Sequence, residues 1–204
     1  MIQLPDLINS CNNRPALVLG GGPSLRLDVD DLRGKLISHD FPFDYATLRT
    51  ANDPVLIAVN EHPFFVGITD PDYLIFMDNP THNPILWNVL QEFQGIKVSH
   101  DLRYTDVNMA GVSYWNGPGS GIVACWFACY LGCDPVILCG FDLYQGSEKY
   151  CHRDELYENR SVFNITLEEH LKRWKTGFRR CPRIERVRAA SGPLVEVFGG
   201  LIQK

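Results

Sequence analysis

The chain has 204 residues, 45% of them hydrophobic and 21% charged, with a formal net charge of −5. Such a chain fits one domain over residues 1–204 with a substantial core, and the acidic balance argues against a broad cationic surface for nucleic acid. The longest apolar run, Gly121–Leu131, is about half of the roughly 20 residues that a bilayer span needs. The start MIQLPDLINSCNNR lacks a basic segment followed by an apolar one, so the expected protein is cytoplasmic and neither secreted nor membrane-spanning.

In chain order, the first element predicted is a buried strand over Ala16–Leu19, short, apolar and ended by three glycines. Leu56–Asn60, Tyr73–Met77 and Pro135–Cys139 share its character. Near-continuous apolar runs of this kind belong to a parallel sheet covered on both faces. Helices are predicted over Pro84–Phe93, Gly121–Leu131 and Leu167–Phe178, the last opened by Thr166 with Glu169 three residues on, a capping-box pattern. Ile184–Ala189 reads as a further strand. Leu25–Pro54 and Val98–Asn116 give no regular pattern, because Gly, Pro and Asp interrupt every period. Strands alternating with helices predict an α/β fold: a single Rossmann-like domain with a mostly parallel sheet and helices on both faces.

Seven cysteines, with no CxxC pair, suggest reduced thiols. Cys125, Cys129 and Cys133 recur at four-residue spacing, which fits either three thiols on one metal or an apolar helix packed in the core. The one dense basic stretch, Lys172–Arg188, reads as a solvated face or as a basic rim for an anionic substrate. Pro63-Phe64-Phe65 reads as core or as a partner surface, and a homo-oligomer is open on this ground.

The strand-to-helix turn Gly20-Gly21-Gly22-Pro23-Ser24 carries the most chemistry. Such a turn aims backbone N–H groups and the positive end of a helix dipole at one point, and glycine lets an anion approach, so nucleotide phosphates are expected here. A purely structural turn is the alternative. Neither GxGxxG nor GxxxxGK[ST] is present. A second turn, Asn116–Gly121, supplies Ser120 and another helix start. Asn60 and Asp78-Asn79 stand at the carboxyl ends of strands, where open sheets bind ligands.

After the strand Pro135–Cys139, the stretch Gly140–Glu155 holds Asp142, Tyr144, Tyr150, His152 and Asp154. His152 titrates nearest neutrality and is the expected proton-transfer group, with Asp154 able to orient its ring. An ordinary polar surface loop is the alternative.

The segments LVLGGGPSL, VN, DNP and GSGIVACWFACYLGCDPVILCGFDLYQGSEKY together resemble the bacterial CMP-sialic-acid-dependent sialyltransferases. The related hydroxymethyl-dihydropterin diphosphokinase-like proteins and short phage proteins share this layout. The resemblance runs from about Ala16 to Phe198. It implies nucleotide-pocket roles for Gly21, Gly22, Ser24, Asn60, Asn79, Ser120 and Gly121, and implies that Tyr144 and Tyr150 assist departure of the nucleotide phosphate. Three departures accompany it. The sialyltransferases carry asparagine at the position of Gly21 and arginine near Gly117, and their catalytic histidine falls where this chain has Ser161–Asn164. His152 and Asp154 instead match the GxxHWHGDH pattern of the phage-type proteins.

The expected function is a nucleotide-dependent transferase, foremost a glycosyltransferase drawing on a nucleotide-activated, CMP-type sugar, with neither metal nor cofactor. Asp142 joins Gly20–Ser24, Asn60, Asn79, Ser120 and Gly121 in the expected nucleotide site. One alternative is an ATP-dependent diphosphokinase-like enzyme holding Mg²⁺ on Asp78, Asp142 or Asp154. Another is a non-catalytic nucleotide-binding or DNA-modification accessory protein.

Overall fold

The structure, a computed structural model, describes residues 2–37, 54–109, 119–151, 164–178, 181 and 183–201. Seven parallel strands form its sheet: β1 Ala16–Leu19, β2 Val55–Val59, β3 Tyr73–Ile75, β4 Ile96–Ser99, β5 Val107–Asn108, β6 Val136–Cys139 and β7 Val187–Ala189. Their order is β5-β4-β3-β2-β1-β6-β7. The chain winds outward from β1 to β5 on one side, then returns to add β6 on the other. That reversal opens a crevice between the carboxyl ends of β1 and β6, the place where open α/β sheets bind ligands.

The helices are α1 Leu4–Leu7, α2 Leu25–Ile37, α3 Pro84–Glu92, α4 Ser120–Tyr130, α5 Leu167–Gly177 and α6 Val195–Phe198. Register decides which side chains each one covers. Leu17 and Leu19 of β1 align with Leu56 and Ala58 of β2 and with Ile137 and Cys139 of β6. On that face α2 buries Leu25, Val29 and Leu32, while α3 buries Leu86 and Leu90 against Ala58 and Leu74. The opposite face carries Ala16, Val18, Ile57 and Leu138, covered by α4. Nine residues of α4 are buried, and burial of each large apolar side chain contributes about 1.5–3 kcal/mol.

The central strands and the three predicted helices lie where the sequence pattern put them, to within one or two residues. The predicted strand Ile184–Ala189 is shorter, because Ile184–Arg186 form a 3-10 turn before β7. The unpatterned segments hold α2, the end of β4 and β5. In α2 the buried face runs Leu25, Val29, Leu32, but a buried carboxylate, Asp28, sits within it. No metal cluster forms on the cysteines among the described residues, and all seven are free thiols. Cys125, Cys129 and Cys133 are core residues. No helix of the described chain is long and apolar enough to cross a membrane.

Of Pro63-Phe64-Phe65, Pro63 is buried, Phe64 packs edge-on to Phe93 at 6.1 Å, and Phe65 is exposed. Within the basic stretch, Arg186 bonds the Gly132 carbonyl at 3.3 Å and pairs with Asp134 at 3.4 Å, while Arg188 bonds the carbonyls of Glu185 and Val187.

Candidate functional site

A cleft of about 290 Å³ opens over the carboxyl ends of β1, β2 and β6. Gly20, Gly21, Gly22, Asn60, Ser120, Gly121, Asp142, Tyr144 and Tyr150 all line it, so the structure gathers most of the residues singled out in the sequence. Three non-glycine residues of its wall have left-handed backbones: Asn60 at φ 56°, Leu143 at 51° and Tyr144 at 60°. Such conformations cost about 1–3 kcal/mol each and cluster at functional sites.

The glycine-rich turn after β1 is built differently from the expectation. The Gly20 and Gly22 amides donate to the carbonyls of Cys139 and Gly140, both at 2.8 Å. A Cβ at Gly20 would strike the Gly140 carbonyl, one at Gly22 the Asp142 carboxylate, and one at Gly21 the His62 ring. The glycines therefore admit the loop after β6 and an imidazole. At the start of α2, the Ser24 amide donates to Asp142 Oδ2 at 3.0 Å, and its hydroxyl donates to Asp28 Oδ2 at 2.9 Å. The protein's own carboxylates hold the helix end where phosphates were expected. Pro23 and Ser24 do not line the cleft.

Asp28 also accepts from the Gly140 amide at 2.8 Å. Burial pushes its carboxyl above the ordinary value; the Gly140 and Ser24 hydrogen bonds pull it down, and the Asp142 charge adds to the rise. This bridge fixes the distance between the ends of β1 and β6.

The start of α4 is of the opposite kind. Its N-cap is Gly119, with no side-chain cap among the described residues, and a Cβ there would meet none of their atoms within 4 Å. The Ser120 hydroxyl, on a residue only 8% exposed, makes no hydrogen bond among the described residues. Gly121 is glycine because Phe141 packs directly over it. An uncapped start of an 11-residue helix presents free N–H groups and partial positive charge.

Facing these groups is a row of aromatic rings. Tyr144 meets Tyr150 edge-on with centroids 5.6 Å apart, and Tyr144 lies 5.4 Å from the ring of His170. Lys149 Nζ donates to the Tyr144 and Gly146 carbonyls, both at 2.8 Å, and so braces the loop that carries both tyrosines. His170, buried on α5, and Arg173, at the cleft mouth, belong to the helix read from its cap. Among the described residues of the basic stretch, Arg173 and Trp174 are the ones that line the cleft.

Asn79 does not line the cleft. Its side chain caps the 3-10 turn Pro80–His82 by accepting from the Thr81 amide at 3.0 Å, while its neighbour Asp78 reaches the cleft. His152 and Asp154 lie outside the described residues. Among the cleft residues that the sequence left unassigned are His62 and Lys149. His62 opens a 3-10 turn after β2, and no local pattern marks that turn as part of the site.

No protein-family model matches the chain, and no curated protein resembles it in sequence. Among solved structures it is similar to the sialyltransferase CstII from Campylobacter jejuni in complex with a substrate analogue, cytidine-5'-monophosphate. That match has a TM-score of 0.57 and 15% identity, over 94% of this chain and 86% of the other. The same enzyme with CMP-3FNeuAc matches at a TM-score of 0.53 and 15% identity, over 92% and 86%. A glycosyltransferase from Magnetospirillum magneticum AMB-1 matches at 0.44 and 17% identity, over 68% of this chain and 24% of its own. The chain thus has a seven-stranded, Rossmann-like α/β fold similar to that of the Campylobacter jejuni structures.

Proposed function

We propose that the chain is a metal-independent glycosyltransferase whose donor is a sugar joined to a nucleoside monophosphate of the CMP type. One observation carries this reading: the cleft has two glycine-rich helix starts, and only that of α4 is open. The start of α2 is closed by Asp142 and Asp28. A single phosphate has a place at Ser120 and Gly121, and a second would lie toward two carboxylates. A diphosphate donor, or the triphosphate of the diphosphokinase alternative, is disfavoured for that reason. Asp142, a Mg²⁺ ligand under that alternative, is already engaged by the Ser24 amide.

In this reading the acceptor oxygen attacks the anomeric carbon of the donor sugar. The bond from that carbon to the phosphate oxygen breaks, and its electron pair leaves with the nucleoside monophosphate. Tyr144, Tyr150 and the α4 amides hydrogen-bond the departing phosphate as its charge grows. The acceptor proton passes to an imidazole. His170, beside Tyr144, takes this role in the proposal, with His152 as its rival. Asn60 faces the nucleoside.

The test is release of CMP from a CMP-activated sugar, followed by chromatography in the presence of a chelator. UDP-activated sugars and ATP with Mg²⁺ run beside it. Turnover of the CMP donor in chelator supports the reading. Turnover of ATP alone, restored by Mg²⁺, contradicts it and favours the diphosphokinase.

A further inference from the structure

His62 is 4% exposed, yet no step above uses it. Its place is set from outside the cleft. Asn83 caps α3, its Oδ1 accepting from the Ile85 and Leu86 amides at 3.2 and 3.1 Å, and its Nδ2 donates to the buried Glu61 carboxylate at 2.9 Å. With Glu61 anchored and Asn60 in the left-handed region, the next side chain turns into the cleft.

Three contacts then converge on His62. Its ring occupies the space where a side chain at Gly21 would go: a Cβ there would lie 2.5 Å from Cδ2 and 2.6 Å from Cγ. The ring stacks on Tyr150, with centroids 4.5 Å apart and planes inclined by 22°. The His62 carbonyl accepts from the Cys151 thiol at 3.6 Å, while the Cys151 amide donates to the Gly21 carbonyl at 2.8 Å. The ends of β1 and β2 and the loop after β6 thus meet on one imidazole.

We infer that His62 is the positioning residue of the cleft: clamped over Gly21, it holds Tyr150 by ring stacking, and through Tyr150 orients Tyr144 toward the phosphate site at the start of α4. Gly21 is glycine to admit His62. This rests on the nucleotide reading above, because what is positioned is the pair of tyrosines assigned to the phosphate. The stacking geometry is the functional element here, so an aromatic ring without nitrogen can replace the imidazole.

Calorimetric titration with CMP, on wild type, His62→Ala, His62→Phe, Gly21→Ala and the double variant Gly21→Ala/His62→Ala, tests this. His62→Ala is expected to weaken CMP binding about tenfold, the scale of one modest contact, and His62→Phe to restore it to within about twofold. Gly21→Ala displaces the ring and is expected to mimic His62→Ala. The double variant is expected to bind no worse than His62→Ala alone, since the new methyl enters the space the ring has left. CMP affinity unchanged in His62→Ala, no recovery in His62→Phe, or additive losses in the double variant would each overturn the inference. Additive losses would instead mean that Gly21 serves a phosphate. A ligand-free cycle separates the two claims: the melting-temperature losses of His62→Ala and Tyr150→Ala are expected to be less than additive in the double variant. If wild type binds no CMP, the nucleotide reading fails, and this cycle decides alone whether His62 holds Tyr150. Additive melting losses overturn the inference even if CMP binds.

Discussion

The Ser24 amide donates to the Asp142 carboxylate at 3.0 Å, a contact across 118 positions of chain. It joins the first turn of α2 to the loop that carries Tyr144 and Tyr150. A helix start of this kind attracts an anion, and here the anion is part of the protein. The Ser24 hydroxyl adds Asp28 to the same joint, at 2.9 Å. In the proposed reading the phosphate therefore binds at the start of α4, which no described side chain caps.

Asp28 gives this joint a pH dependence. Its carboxyl is raised above the ordinary 3.8, foremost by burial. The folded protein then holds this proton more tightly than the unfolded chain, so the stability it confers is fully present below pH 3.8 and falls as pH rises through the raised value. Asp28→Asn removes that titration and keeps an acceptor for Gly140 and Ser24. Urea unfolding at a series of pH values is expected to show the variant gaining on wild type across this window. Parallel curves would mean that Asp28 is not raised.

Gly119→Asp separates folding from binding. The position has an ordinary φ of −62°, and no described residue comes within 4 Å of a Cβ there, so a carboxylate there can cap α4. Stability is expected to rise by about 0.5–2 kcal/mol, the usual worth of an N-cap, in a chemical unfolding curve. The same carboxylate occupies the amides assigned to the phosphate, so nucleotide binding is expected to fall at least tenfold. A stabilised protein that binds as well as wild type would place the phosphate elsewhere.

Much of the fold was legible in the sequence because its central strands are continuous apolar runs, and because Thr166 sits where a helix cap belongs. Segment Leu25–Ile37 was not, because Asp28 stands in the buried stripe and is satisfied in part by Gly140, far along the chain. The short strands β4 and β5 are partly polar and draw their stability from neighbours. At the site, the tyrosines and both glycine-rich turns were readable as parts. Which turn was open was not, since Asp142 closes the first from a distance of 118 residues. His62 was hidden for the same reason: its role exists only where three strand ends meet.

The two histidines are distinguished by kinetics. A general base contributes about 10²–10⁴-fold, so His170→Ala is expected to lower donor turnover by that order with CMP affinity near wild type. His152→Ala is expected to stay within a few-fold. The reverse pattern would return the base to the loop after β6.

Metal independence is checked by titrating CMP with and without a chelator. Equal affinities are expected, because the tyrosines and the α4 amides supply the positive field. Binding lost in chelator and regained with Mg²⁺ would require a cation in the cleft.

The most direct measurement is the calorimetric titration of CMP into wild type and into Gly119→Asp, at equal protein concentration and in chelator. The expected result is one saturable site in wild type and a loss of at least tenfold in the variant, whose fold is intact or more stable. Absence of CMP binding in wild type, or equal affinity in the two proteins, would contradict the assignment of the open start of α4 as the phosphate site.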